Sequence, residues 1–212
     1  MKDFSVPMAL VDYVPVILFA AAAVILIRDM YNKMSKGAFA LFAAGTIDVI
    51  CAGALKATYK LLYAMGVCDF ESLSNVFFPM QSLGFLLAGL GVLAMVCHKQ
   101  TKNAAMAVAA PPFFSGTFVF VGCMVTGLAL MDVGLCIMAK KIKKPAVIIL
   151  FVLSFICSLG MGYLSSKDFA EAAMNWVAQG VNIVGQGTLL IGAIILHKNG
   201  FASLRLHGGE EA

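Results

Sequence analysis

The sequence predicts an all-α, polytopic transmembrane helix bundle. Three observations lead there: a composition poor in charge, apolar runs of spanning length, and basic residues confined to short segments between those runs. Apolar residues make up 61% of the chain and charged residues 12%, against about 45–50% and roughly 25% in an ordinary soluble domain. The runs 14–27, 37–55, 77–97 and 145–163 each carry at most one charge, and their lengths approach the roughly 20 residues that cross a hydrocarbon core. A soluble fold has too little interior to bury them all.

The first run is entered through Met1-Lys2-Asp3 and Pro7. No small-residue cleavage site follows a short apolar core, so this helix is expected to be retained rather than removed as a signal peptide. Basic segments then mark the cytoplasmic side, because Lys and Arg are held there during insertion. They are 28–36, 98–102, 140–144 and 197–205, while the acidic segments 69–71 and 167–171 alternate with them and are expected outside. The net charge of +4 is spread over these loops, which reads as a topology signal and not as a nucleic-acid footprint. Residues 103–139 begin and end beside basic segments and therefore must cross twice, giving seven crossings, with six as the alternative. The extra helix, around residues 102–114, would turn near Pro111-Pro112 or Ser115-Gly116. This topology puts the amino terminus outside and the carboxyl terminus in the cytoplasm. The expected location is the cell membrane, of the bacterial inner-membrane type.

An internal duplication is also expected within this single transmembrane domain. Asp69-Phe70 precedes His98-Lys99 by the interval that separates Asp168-Phe169 from His197-Lys198, with Asn75 and Gln81 answered by Asn175 and Gln179. The charge signs run in the same order in both copies, so the repeats share an orientation, which three-helix units manage only across a linking helix. The division is repeat 1 over about 8–100, a linker helix over about 101–117, repeat 2 over about 118–200 and a short cytoplasmic tail, 201–212. This three-plus-one-plus-three plan resembles, in architecture alone, the sugar-efflux and PQ-loop class of transporters, whose parallel halves enclose a central site. The chain departs from that class in lacking its Pro-Gln dipeptide: Pro79 and Gln81 are separated by Met80. The resemblance implies an arrangement and no substrate.

Polar residues inside apolar runs carry the functional reading. Asn175, Gln179, Asn182 and Gln186 fall at i, i+4, i+7 and i+11 of the last helix, on one face. Unpaired amides in hydrocarbon cost several kcal/mol, so this row must face other helices or a wet cavity. Gly180, Gly185, Gly187 and Gly192 on the same helix permit close backbone approach. Asp48 lies near mid-depth and Asp132 somewhat shallower, and intramembrane carboxylates usually face the bundle interior. Tyr59 shares the helical face of Asp48 toward the outside. Lys56 and Lys60 read as lysines snorkelling to the headgroups, His98 and His197 as topology markers at helix ends, and Trp176 as an interfacial aromatic. Pro15 and Pro79 are candidate kinks.

The six cysteines are scattered without metal-ligand spacing, which argues against a zinc site or disulfide framework. HExxH, Walker and GxSxG motifs are absent from the sequence, and no cofactor is expected. The leading functional reading is a transporter or facilitator for a small solute or ion, with a site built from Asp48, Tyr59, Gln81, Asp132, Gln179, Asn182 and Gln186. The alternative is a ligand-binding receptor or accessory subunit acting through a partner protein, and a third is an intramembrane lipid enzyme using Asp48 and Asp132. Membrane lipids, a small ligand and either a second copy or a partner protein are the expected partners.

Overall fold

The computed structural model describes residues 5–97, 117–165 and 172–204, and every regular element among them is helical. Helices α1 (Val6–Val11) and α2 (Tyr13–Met30) form one stretch hitched at Asp12, and α4 (Ser72–Asn75) and α5 (Phe77–Cys97) form another hitched at Val76. Each hitch sits three residues before a proline, Pro15 and Pro79. Proline has no N–H for the carbonyl four residues back and its ring crowds that carbonyl, so the break falls one residue beyond Val11 and Asn75.

The remaining helices are α3 (Lys36–Ala64), α6 (Thr117–Lys141), α7 (Val147–Ser165) and α8 (Ala172–Lys198), followed by a short 3-10 turn, Phe201–Ser203. Ser35 caps α3, its Oγ accepting from Ala38 N–H at 3.2 Å. The helix stops where Gly66 turns left-handed, at φ 67°, a conformation glycine adopts without a Cβ clash. Val67 N–H there reaches back to the Leu62 carbonyl at 3.0 Å. Val6–Met30, Lys36–Ala64, Ser72–Cys97, Val119–Lys141 and Ala173–Lys198 are long and apolar enough to cross a membrane, and α7 adds the shorter apolar stretch Val147–Met161. The protein is thus a helical membrane bundle.

Small residues set the helix contacts. Helices α3 and α5 pack antiparallel with Gly45 on Gly84, so closely that a methyl group on Gly45 would run into the Gly84 carbonyl oxygen. Helices α5 and α6 instead run parallel, with Gly89 against Gly127 and, further along both, Val92 against Gly134. Gly185 and Gly192 bring α8 onto Cys157 and Phe151 of α7, whereas Gly180 and Gly187 meet open space. Where two helices share lipid as solvent on all sides, such packing replaces the hydrophobic drive that operates in water.

The helices close into a ring in the order α2, α3, α5, α6, α7, α8 and back to α2. Helix α8 runs parallel to α2, since Gln179 meets Asp12 at one end and His197 meets Asp29 at the other. Two consequences follow from these directions. Ser5 and Leu204 lie at opposite ends of the bundle, and so do the end of α5 and the start of α6. Of the expected linker helix over 101–117, all but Thr117, which opens α6, lies outside the described residues, as do the basic turn 98–102, the acidic segment 167–171 and the tail beyond Leu204. The tail expected from residue 201 is not separate from the bundle at its start. Gly200 (φ 83°) turns the chain, and Phe201 becomes wholly buried.

Candidate solute site

The amide row of α8 faces inward, as the cost of exposing it to lipid requires. Asn175, Gln179, Asn182 and Gln186 all line one cavity of about 480 Å³, running about 16 Å along the helix axis. Opposite them, α3 supplies Lys56 and Lys60, which stand one turn apart on the face that also carries Gly53 and Ala57. The hitch at Val76 swings Ser74, Phe77 and Phe78 to the cavity wall, with Gln81 and Phe85 below them, and Met124 and Leu128 of α6 complete the floor. The whole site occupies the half of the bundle nearest Ser5.

The polar groups are organised around Asp12, the residue at the α1–α2 hitch. Its Oδ2 lies 2.6 Å from Lys60 Nζ, and its Oδ1 accepts from Gln179 Nε2 at 2.8 Å. The second hydrogen of that amide goes to the Met8 carbonyl at 2.9 Å, and Lys60 also donates to Asn175 Oδ1 at 3.4 Å. One carboxylate therefore ties the first, second and last spans together. Deeper in, Gln186 Nε2 donates to Asn182 Oδ1 at 3.4 Å. Among the described residues two acceptors of the cavity amides find no partner, Gln179 Oε1 and Gln186 Oε1, both buried. Lys56 differs from Lys60: its ammonium stands 4.0 Å from the centroid of the Phe77 ring, and among the described residues no carboxylate pairs with it.

Lys60, expected to reach the headgroups, is instead 8% exposed and finds Asp12 and Asn175 inside the bundle, and Lys56 lines the same cavity. Asp48 is half-buried on α3 but does not line the cavity. The α3 lining begins at Gly53, five residues or about 7.5 Å further along the helix, so Asp48 lies beyond the closed end of the cavity although Tyr59, on its own face, lines it. Asp132 is buried, with neither oxygen hydrogen-bonded, one turn or about 6 Å beyond Leu128, where the cavity has already closed. Tyr59 lines the cavity without Asp48, and its hydroxyl donates to Asp69 Oδ1 at 3.0 Å. Gln81, Gln179, Asn182 and Gln186 are brought together.

Asp12 escaped the sequence reading altogether. The available signal was a carboxylate three residues before Pro15 at the mouth of an apolar run, a place where a broken helix can turn a side chain inward.

The opposite end of the ring is packed. Asp29, its side chain fully buried, receives His197 Nδ1 at 2.9 and 3.1 Å from its two oxygens, so His197 joins α8 to α2 in addition to ending its helix. Lys33 Nζ donates to the Ala202 carbonyl at 2.7 Å and stands 5.7 Å from the Phe201 ring centroid. Burial pushes the Lys33 ammonium below the usual lysine range, and the Asp29 carboxylate opposes that shift. Among the described residues no cluster of three or more His, Cys, Asp or Glu could hold a metal ion. No family model matches the chain, and neither a curated protein nor a solved structure matches it.

Proposed function

We propose that this chain is a multi-pass transporter or facilitator for a small polar solute. One observation carries the reading: a cavity of about 480 Å³, lined by Asp12, Lys56, Lys60 and a set of carboxamides, inside a bundle whose outer surface is apolar. Its volume falls within the roughly 300–1,000 Å³ of small-molecule sites. Polar groups sequestered from lipid at that depth are expensive unless a ligand or water uses them. The cavity occupies one half of the ring while Asp29, His197 and Phe201 fill the other end, the asymmetry of a carrier open to one side.

The ring also supports the duplicated plan. Exchanging α2 for α6, α3 for α7 and α5 for α8 keeps every helix direction and turns the α2–α8 neighbour pair into α6–α5. Gln81 and Gln179, counterparts in the two repeats, both reach the cavity. Seven crossings remains the proposed count, and the parallel run of α5 and α6 supports it, since the end of α5 and the start of α6 lie at opposite ends of the bundle. With the positive-inside rule, the cavity half faces outward and the Asp29–His197 end faces the cytoplasm, in a cell membrane of the bacterial inner-membrane type. Alternating access by rocking one half against the other follows from such a plan.

The test is flux. Full-length protein reconstituted in liposomes is assayed with radiolabelled lactate, glycine, glucose and choline. Saturable uptake of at least one, lowered tenfold or more by Gln186→Leu, is expected. Saturable binding without flux would make the protein a receptor, and neither binding nor flux would remove the solute site.

A further inference from the structure

We infer that the cavity binds a small carboxylate that also carries N–H or O–H donors, with Lys56 as the anion partner. The inference rests on the solute-site reading above and names its ligand class. Two independent features of the lining lead to it.

The first is charge. The lining carries two lysines, Lys56 and Lys60, and one carboxylate, Asp12, and that carboxylate is engaged with Lys60 at 2.6 Å and with Gln179 at 2.8 Å. A cation in excess therefore remains at Lys56. Its described partners are the face of Phe77, 4.0 Å from the ring centroid, and a longer-range attraction to Asp12 that Lys60 opposes. A ring face attracts a cation by about 0.5–2 kcal/mol, far below what removing an ammonium from water costs. A ligand anion supplies the missing counter-charge. A ligand cation would meet Lys56 and Lys60 together and add like-charge repulsion in a medium that screens poorly.

The second is hydrogen bonding. Gln179 is 4% exposed, and its Oε1 has no partner; Gln186 Oε1 is buried and equally unpartnered. Both are acceptors, so an all-acceptor anion such as sulfate leaves them empty, whereas a hydroxyl, amide or ammonium beside the carboxylate fills one. Buried polar atoms left unpaired discriminate strongly against a ligand that lacks the matching group. Phe77, Phe78 and Phe85 supply apolar wall for a short carbon skeleton. Together these features select a hydroxy acid, an amino acid or an N-acylated amino acid over sugars, amines and inorganic anions.

A structural Lys56, stapling α3 to α5 through Phe77, predicts no ligand dependence at all. The experiment uses purified full-length protein in detergent, titrated with lactate, glycine and N-acetylglycine, with lactamide and N-acetylglycinamide as neutral partners, and with choline and phosphate. Saturable binding is read by calorimetry and by the rise in Tm. At least one carboxylate is expected to bind tenfold or more tightly than its amide, with Lys56→Gln abolishing that preference and Lys56→Arg restoring most of it. Lys56→Gln must keep the melting behaviour of the parent without ligand to within a few degrees; if it does not, Phe77→Leu, which leaves the ammonium in place, must retain the carboxylate preference. Amides binding as tightly as acids, or phosphate or choline binding best, overturns the carboxylate assignment and leaves the solute site standing. Binding of no member of the panel, together with no flux, overturns both.

Discussion

Asp12 and Lys60 meet at 2.6 Å inside the bundle, joining a hitch in the first span to the far end of the second. The side chains are 15% and 10% exposed, so each charge depends on the other. Removing one partner of a buried pair typically costs about 3–5 kcal/mol, because the survivor is left uncompensated. Asp12→Ala should therefore lower thermal stability in detergent sharply, and the double variant Asp12→Ala/Lys60→Met should recover more than half of the loss. A double variant no better than the worse single one would mean that the pair does not act as a unit.

Asp132 offers the opposite sign. Its carboxyl is buried with neither oxygen bonded, and an unsatisfied buried polar group costs about 1–3 kcal/mol. At least one of Asp132→Leu, which keeps the branching of the carboxyl with two larger methyl groups, and the smaller Asp132→Val is expected to raise Tm. Unfolding curves in the same detergent decide it, and a fall in Tm for both would mean that the carboxyl has a use in the folded state.

Glycines at helix contacts and at open faces should respond differently to the same methyl group. On an exposed helix, Gly→Ala gains about 1 kcal/mol from propensity. Gly122 meets nothing within 4 Å, whereas a Cβ on Gly127 runs into the Phe85 backbone. Gly122→Ala should leave Tm unchanged or slightly raised, and Gly127→Ala should lose about 1–3 kcal/mol by overpacking. Equal effects would refute the close α5–α6 approach.

Transport should be insensitive to Asp48. Because Asp48 lies off the cavity, Asp48→Ala is expected to keep uptake within about twofold, while Asn182→Leu and Gln186→Leu each lower it tenfold or more, a loss of about 1.4 kcal/mol or greater. Liposome uptake measured for the three variants side by side is the check. Loss of uptake in Asp48→Ala alone would place the site elsewhere.

Sidedness can be read from native thiols. Cys68, just past α3, and Cys97, ending α5, are exposed at opposite ends of the ring. In right-side-out vesicles a membrane-impermeant maleimide should label a variant retaining only Cys68, and should label one retaining only Cys97 after permeabilisation. Labelling of both from the same side would reject the proposed orientation.

The sequence by itself determined the membrane bundle and the buried row of amides. Both are local properties: an apolar run satisfies its own backbone as a helix wherever it sits in lipid, and the spacing of Asn175, Gln179, Asn182 and Gln186 puts them on one face without reference to any other span. Tertiary structure alone decided which polar groups meet. Lys60 finds Asn175 at a separation of 115 residues and Asp12 finds Gln179 at 167, distances over which no periodicity carries information. Asp48 and Asp132 looked suited to the site and Asp12 was passed over, because a charge in an apolar run has the same signature in any direction. The depth at which the cavity ends along α3, the floor at Leu128 and the hitch before Pro15 decided which of them faces the cavity, since each depends on how neighbouring helices pack.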